Sequence, residues 1–161
     1  MLTEWLTALQ DVPLVMALRS GRWSYATVNA GHIVGIALLF GAIVPLDLRL
    51  MGLWRSVSIR ALARVLVPVA AAGLLLAVAA GALLFSIRAV QYAGTTLFQV
   101  KMALILCGIA NAVLLRGAVQ WEAALDRIDA RPPQRLRVAG GLSIVLWLSV
   151  IVCCRMLGFL D

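Results

Sequence analysis

The 161 residues are 63% hydrophobic and 13% charged, with a mean hydropathy of +1.02. Soluble domains run about 45–50% apolar and about 25% charged, and a small domain buries too little surface to hide the difference. A soluble fold is therefore excluded, and with it the nucleic-acid partner that a net charge of +7 would otherwise suggest.

Residues 1–22 open the chain as an amphipathic segment. Leu2, Trp5, Leu6 and Leu9 recur at helical spacing, Pro13 interrupts, and Val15, Leu18 and Arg19 follow. The pattern predicts a helix lying in the membrane interface, with Trp5 and Trp23 at headgroup level. A partner-binding helix is the alternative. Glu4, Asp11 and Pro13 break the stretch, and no basic region precedes a clean apolar core, so a cleaved signal is not expected here.

Four apolar runs follow, each long enough to cross a bilayer core of about 30 Å. They are expected at about 25–46, 61–87, 97–115 and 138–159. The predicted fold is all-α: a single polytopic four-helix membrane bundle spanning residues 1–161, with the N-terminal segment lying in the interface. Pro45 is expected to end the first span, and Pro68 to kink the second, where neighbouring helices can satisfy the freed carbonyl. The segment after the third span carries Trp121, Glu122, Leu125, Asp126 and Asp129 before Arg131-Pro132-Pro133. It is expected to continue as a surface helix, with Glu122 and Asp126 one turn apart.

Thirteen of the fourteen basic residues are arginines, and they lie mainly between the apolar runs. Arg49, Arg55, Arg60 and Arg64 cluster after the first span, and Arg116, Arg127, Arg131, Arg135 and Arg137 after the third. The connection between the second and third spans carries only Arg88 before Lys101. The positive-inside rule places the two arginine-rich connections in the cytoplasm, which puts both termini outside, in the periplasm of a bacterial inner membrane. Cys107, Cys153 and Cys154 all lie within apolar runs, and adjacent Cys153 and Cys154 point to different sides of a helix, so no structural disulfide is expected.

Ionisable and polar residues at membrane depth carry the functional signal, because they are expensive there and tend to face a bundle interior or a cavity. His32 is the only histidine. It is either a neutral imidazole bonded to a neighbouring helix or an axial ligand to haem iron. Lys101 is the only lysine and falls at a comparable depth on the third span. It either snorkels to the interface or points a cation into an outward-facing cavity, where it would pair with a propionate or another anion. Asn29, Gln91, Tyr92 and Gln99 are expected at the same end. Gly31 and Gly35 flank His32 with small-xxx-small spacing, which permits close helix approach or leaves room for a flat cofactor. At the other end, an Asp47–Arg64 or Arg49–Asn111 contact is expected to tie the helices together.

The run Val28-Asn29-Ala30-Gly31-His32-Ile33-Val34-Gly35 through Leu46-Asp47-Leu48-Arg49, with Phe98-Gln99-Val100-Lys101-Met102 and Asn111, resembles a group of small bacterial four-helix membrane proteins over most of the chain. More distantly it resembles the CopD copper-resistance membrane domain and the HemJ protoporphyrinogen oxidases, which share a first-helix histidine and a later helix opening with lysine. The second resemblance implies haem b bound with His32 as metal ligand and Lys101 as its cationic partner. From their own positions, Asn29, Gly31 and Gly35 are expected to complete such a cofactor site, with a redox partner or a homo-oligomer as the expected assembly. The first implies copper transport, for which Met102, Cys107, Cys153, Cys154, Met156 and His32 are scattered candidate donors. A non-catalytic bundle that assists assembly is the third expectation.

Overall fold

The computed structural model describes residues 2–117, 121 and 132–159. These form seven helices and their turns: α1 (Leu2–Gln10), α2 (Pro13–Ser20), α3 (Arg22–Met51), α4 (Ile59–Ile87), α5 (Ala89–Ala93), α6 (Thr96–Arg116) and α7 (Gln134–Leu157). Four of them, α3, α4, α6 and α7, are long and apolar enough to cross a membrane. The protein is a multi-pass helical membrane bundle. The surface helix expected over Glu122–Asp129 lies outside the described residues.

Helix α3 continues past Pro45 to Met51. Proline removes one backbone donor, and in a bundle that loss is tolerated where packed neighbours support the helix. The stop comes at Gly52, whose φ of 108° lies in the left-handed region that glycine adopts at low cost. Its N–H bonds to Arg49 O at 3.1 Å and that of Leu53 to Leu48 O at 3.1 Å, closing a Schellman-type end. Asp47 and Arg49 are therefore helical rather than part of a connection, and both are buried, at 4% and 0% exposure.

Arg49 shapes the turn that follows. Its Nε donates to Val57 O at 2.6 Å and its Nη2 to Arg55 O at 2.9 Å. The tight 52–58 connection thus wraps its carbonyls around a buried guanidinium. Ser58 then caps α4, its Oγ accepting from Ala61 N at 3.3 Å. The contacts expected for Asp47 with Arg64 and for Arg49 with Asn111 give way to others. Asn111 Nδ2 donates to Ala139 O at 3.0 Å, joining α6 to α7, while the Asp47 carboxylate lies within hydrogen-bonding reach of Ser143 on α7.

The order of packing positions the site. α3 and α4 form the most extensive helix pair, α3 also packs on α7, and α7 on α6. α4 and α6 make no comparably extensive contact, so the bundle is tight around α3 and open between α4 and α6. The α3–α4 contact is close because glycines face it. A Cβ on Gly35 would stand 2.5 Å from Ala77 N, and one on Gly73 would stand 2.5 Å from Leu39 N. Backbone meets backbone there, which is how membrane helices gain packing energy where water drives nothing. Gly31, by contrast, faces open space.

The N-terminal segment is two helices rather than one, because Pro13 starts α2 at a position where a missing N–H costs nothing. Val15 and Leu18 bury against Ile87, Val28 and Leu83. α2 thereby folds back onto α3 and α4, at the end opposite the arginine-rich connections. Trp5 and Trp23 remain exposed.

Candidate functional site

His32 is held by one specific bond. Its Nδ1 donates to the carbonyl oxygen of Ala77 at 2.7 Å, across the close α3–α4 contact. Ala77 sits where Gly73 and Gly35 bring the helices together, so the carbonyl is presented by the same packing that makes the contact. A carbonyl can only accept, so Nδ1 carries a proton, and in the neutral ring this leaves the lone pair on Nε2. Gly81, one turn further along α4, makes room for the imidazole. A Cβ there would approach His32 Cε1 to 3.0 Å and Nδ1 to 3.3 Å.

Two chambers meet at this ring. The first, of about 620 Å³, opens at the end capped by α2 and is lined by Arg19, Tyr25, Asn29, Arg88, Tyr92 and Lys101 among others. The second, of about 400 Å³, continues into the bundle between α4 and α6 and is apolar, with Phe40, Leu74, Met102, Ile105, Trp147 and Val150 in its wall. His32, Gly81, Phe85, Phe98, Lys101 and Cys154 border both. Each volume falls within the range of about 300–1,000 Å³ usual for small-molecule sites.

Charge and aromatic faces are sorted along this cavity. Arg19 and Arg88 are exposed at the mouth, and Lys101 lies deeper. Lys101 Nζ stands 4.8 Å from the centroid of Phe98, a cation–π contact that holds the ammonium against the cavity wall. Phe98 stacks in turn on Phe85, with centroids 5.0 Å apart and planes within 15°. Tyr92 extends the aromatic group, 6.2 Å from Phe98. The lysine therefore borders the cavity instead of simply reaching for the membrane surface.

Of the residues singled out in the sequence, Asn29, His32, Tyr92 and Lys101 meet at this one cavity. Gln99 turns away to donate to Ala93 O at 3.2 Å. Gly35 belongs to the α3–α4 contact rather than to the cavity wall, and Gly31 meets no neighbour. Gly81 is the glycine that faces the histidine. The sulfur donors do not gather. Cys107 and Met156 are exposed, Cys153 is buried, and Met102 and Cys154 border the cavity. Among the described residues no three His, Cys, Asp or Glu side chains are placed to share a metal ion.

Arg19, Arg88 and Phe85 join the cavity wall beyond the expected site residues, and Cys154, expected only as a scattered metal donor, borders it beside His32. Arg88 had a readable signal, as the lone arginine of a connection otherwise poor in positive charge. Arg19 had none, since only the folding back of α2 brings it to the cavity, and the place of Cys154 beside His32 follows from the packing of α7.

The fold and cavity define a class: a four-helix membrane bundle with an apolar slot, a cationic mouth and one fixed histidine between them. Comparison with protein-family models, curated proteins and solved structures finds no match, so the functional reading rests on the residues themselves.

Proposed function

We propose that the protein is a haem- or porphyrin-binding redox component of the membrane, holding a flat anionic macrocycle in the cavity between α3, α4, α6 and α7. The observation that carries this reading is the state of His32. Nδ1 is committed to Ala77 O, and the ring borders both the polar and the apolar chamber. A histidine that ligates a metal through one nitrogen commonly donates its other N–H to a backbone carbonyl, which fixes the ring and raises its basicity.

The rest of the cavity fits the same ligand. The apolar chamber accepts the hydrophobic part of a macrocycle, and the parallel Phe85 and Phe98 rings offer it flat faces. Arg19, Arg88 and Lys101 supply cations where propionates would lie, with arginine suited to bidentate carboxylate contacts. Gly81 keeps the space beside His32 clear. Haem b bound there would supply one-electron chemistry, while the chain orients the group, neutralises its carboxylates and keeps water from its apolar side.

The arginine-rich ends of α3 and α6 lie in the cytoplasm in this reading, so the cavity opens on the periplasmic side of a bacterial inner membrane. A redox partner then meets the protein at that mouth. A single chain offers one histidine, so a second imidazole on the same iron would come from a homo-oligomer.

Haem titrated into purified protein in lipid nanodiscs tests the proposal. Saturable binding at one site per chain, weakened by His32→Ala, supports it. Absence of saturable binding removes it.

A further inference from the structure

A third cavity lies nearer the arginine-rich end. It measures about 220 Å³ and is bordered by Asp47 of α3, Asn111 and Arg116 of α6, Ser143 and Trp147 of α7, and an apolar run of α4. Its polar side chains from α3 and α7 are deeply buried, Asp47 at 4%, Ser143 at 7% and Trp147 at 5% exposure. Asp47 Oδ2 and Trp147 Nε1 make no hydrogen bond to the described residues. A buried carboxylate oxygen and a buried indole N–H left without partners each cost about 1–3 kcal/mol, so both point to a hydrogen-bonding guest. Trp147 is fixed in this position, since its ring packs where a Cβ on Gly108 would come within 3.1 Å.

The guest must accept from an indole N–H and donate to a carboxylate, and it must be small, because the polar groups gather in part of a wall that is otherwise largely apolar. Water does both. Each water takes about 30 Å³ of liquid volume and needs two to four polar partners, and Asp47, Asn111, Ser143 and Trp147 provide them. Arg116, exposed at the end of α6, borders the cavity and marks its arginine-rich end.

We propose that this inner cavity is a hydrated proton-exchange site, in which water bridges Asp47 Oδ2 to Trp147 Nε1 and lets the Asp47 carboxyl exchange its proton with the solvent at the arginine-rich end. Protonation adds one proton from bulk water to a carboxylate oxygen, and release returns it, with no other bond made or broken. The groups facing Asp47 set its electrostatics. α7 presents Ser143 and Trp147, α6 presents Asn111 and Arg116, Trp121 adds a second buried indole, and α4 presents only apolar side chains. On α3 itself, Arg49 turns its guanidinium to the carbonyls of Arg55 and Val57. Trp147 also borders the apolar chamber, but its indole does not titrate, so the exchanging proton of this site resides on Asp47. The inference is independent of what the larger cavity holds.

Infrared spectra of the full chain in nanodiscs, recorded while the pH is lowered, test it. A protonated-carboxyl band is expected that is missing in Asp47→Asn, moves to lower frequency within the mixing time in D2O, and shifts in Trp147→Phe, which keeps the Asp47 carboxyl and an aromatic ring while removing the indole N–H. A spectrum in which Asp47→Asn removes no band, or a band indifferent to both D2O and Trp147→Phe, overturns the proposal. Loss of the band on adding sodium at constant pH also overturns it, assigning the cavity to a metal cation instead.

Discussion

His32 on α3 donates its Nδ1 proton to the carbonyl oxygen of Ala77 on α4 at 2.7 Å, and Gly81 leaves the space that its ring occupies. The bond joins the close α3–α4 contact to the cavity formed by the two chambers. Helix packing thereby sets the tautomer of the only histidine in the chain.

Gly81→Ala tests that dependence. The new methyl would meet the imidazole at 3.0 Å, and relieving an overpacked contact costs about 1–3 kcal/mol. Displacement of His32 is expected to weaken haem binding by roughly ten- to a hundred-fold, since about 1.4 kcal/mol is a factor of ten. Titration in nanodiscs measures this. Unchanged affinity would mean that the ring's position does not matter to the ligand.

The glycines of α3 are not equivalent. Gly35→Ala would press a methyl to 2.5 Å from the Ala77 backbone nitrogen, where only a shift of a whole helix gives relief. A stability loss above about 2 kcal/mol is expected, at the upper end of ordinary substitutions. Gly31→Ala meets nothing and is expected to stay within about 0.5 kcal/mol of the parent. Thermal unfolding of both variants in the same detergent makes the comparison, and equal effects would contradict the placement of the α3–α4 contact.

The four membrane spans were legible because an apolar run long enough to cross a bilayer is a property of local sequence. Their ends were less so. Pro45 suggested a stop, yet the helix continues until Gly52 can take a left-handed conformation. Asp47 and Arg49 looked like residues leaving the membrane, because charges usually mark span ends. They are buried here because the 52–58 turn folds its carbonyls over one and α7 covers the other. Within the candidate site, Asn29, His32 and Lys101 were visible as polar residues at membrane depth. Arg19, Gly81 and Cys154 were not, since each reaches the cavity through contacts between helices distant in sequence.

Arg49 gives a sharp test of the inner end. Hydrogen bonds to a charged group contribute about 1.5–3 kcal/mol each, and Arg49 makes two to the turn. Arg49→Met is expected to lower stability by about 3 kcal/mol or more and to open residues 52–58 to protease. Arg49→Lys, lacking the planar fork, is expected to rescue little. Limited proteolysis of reconstituted protein reads both effects, and full rescue by lysine would show that charge alone is needed there.

The cationic mouth is tested by changing the ligand together with the protein. Arg19→Gln combined with Arg88→Gln is expected to weaken binding of a porphyrin with free propionates by at least tenfold, while leaving binding of its dimethyl ester nearly unchanged. The comparison separates carboxylate recognition from general loss of the cavity. Equal losses for both ligands would remove these arginines from carboxylate recognition.

The most direct measurement is the absorption spectrum of the protein purified from haem-replete cells, beside that of His32→Ala prepared in the same way. Haem ligated by His32 predicts a Soret band in the parent that is lost or moved in the variant. No Soret band in the parent, or an identical band in both, would contradict the assignment of His32 as the ligand.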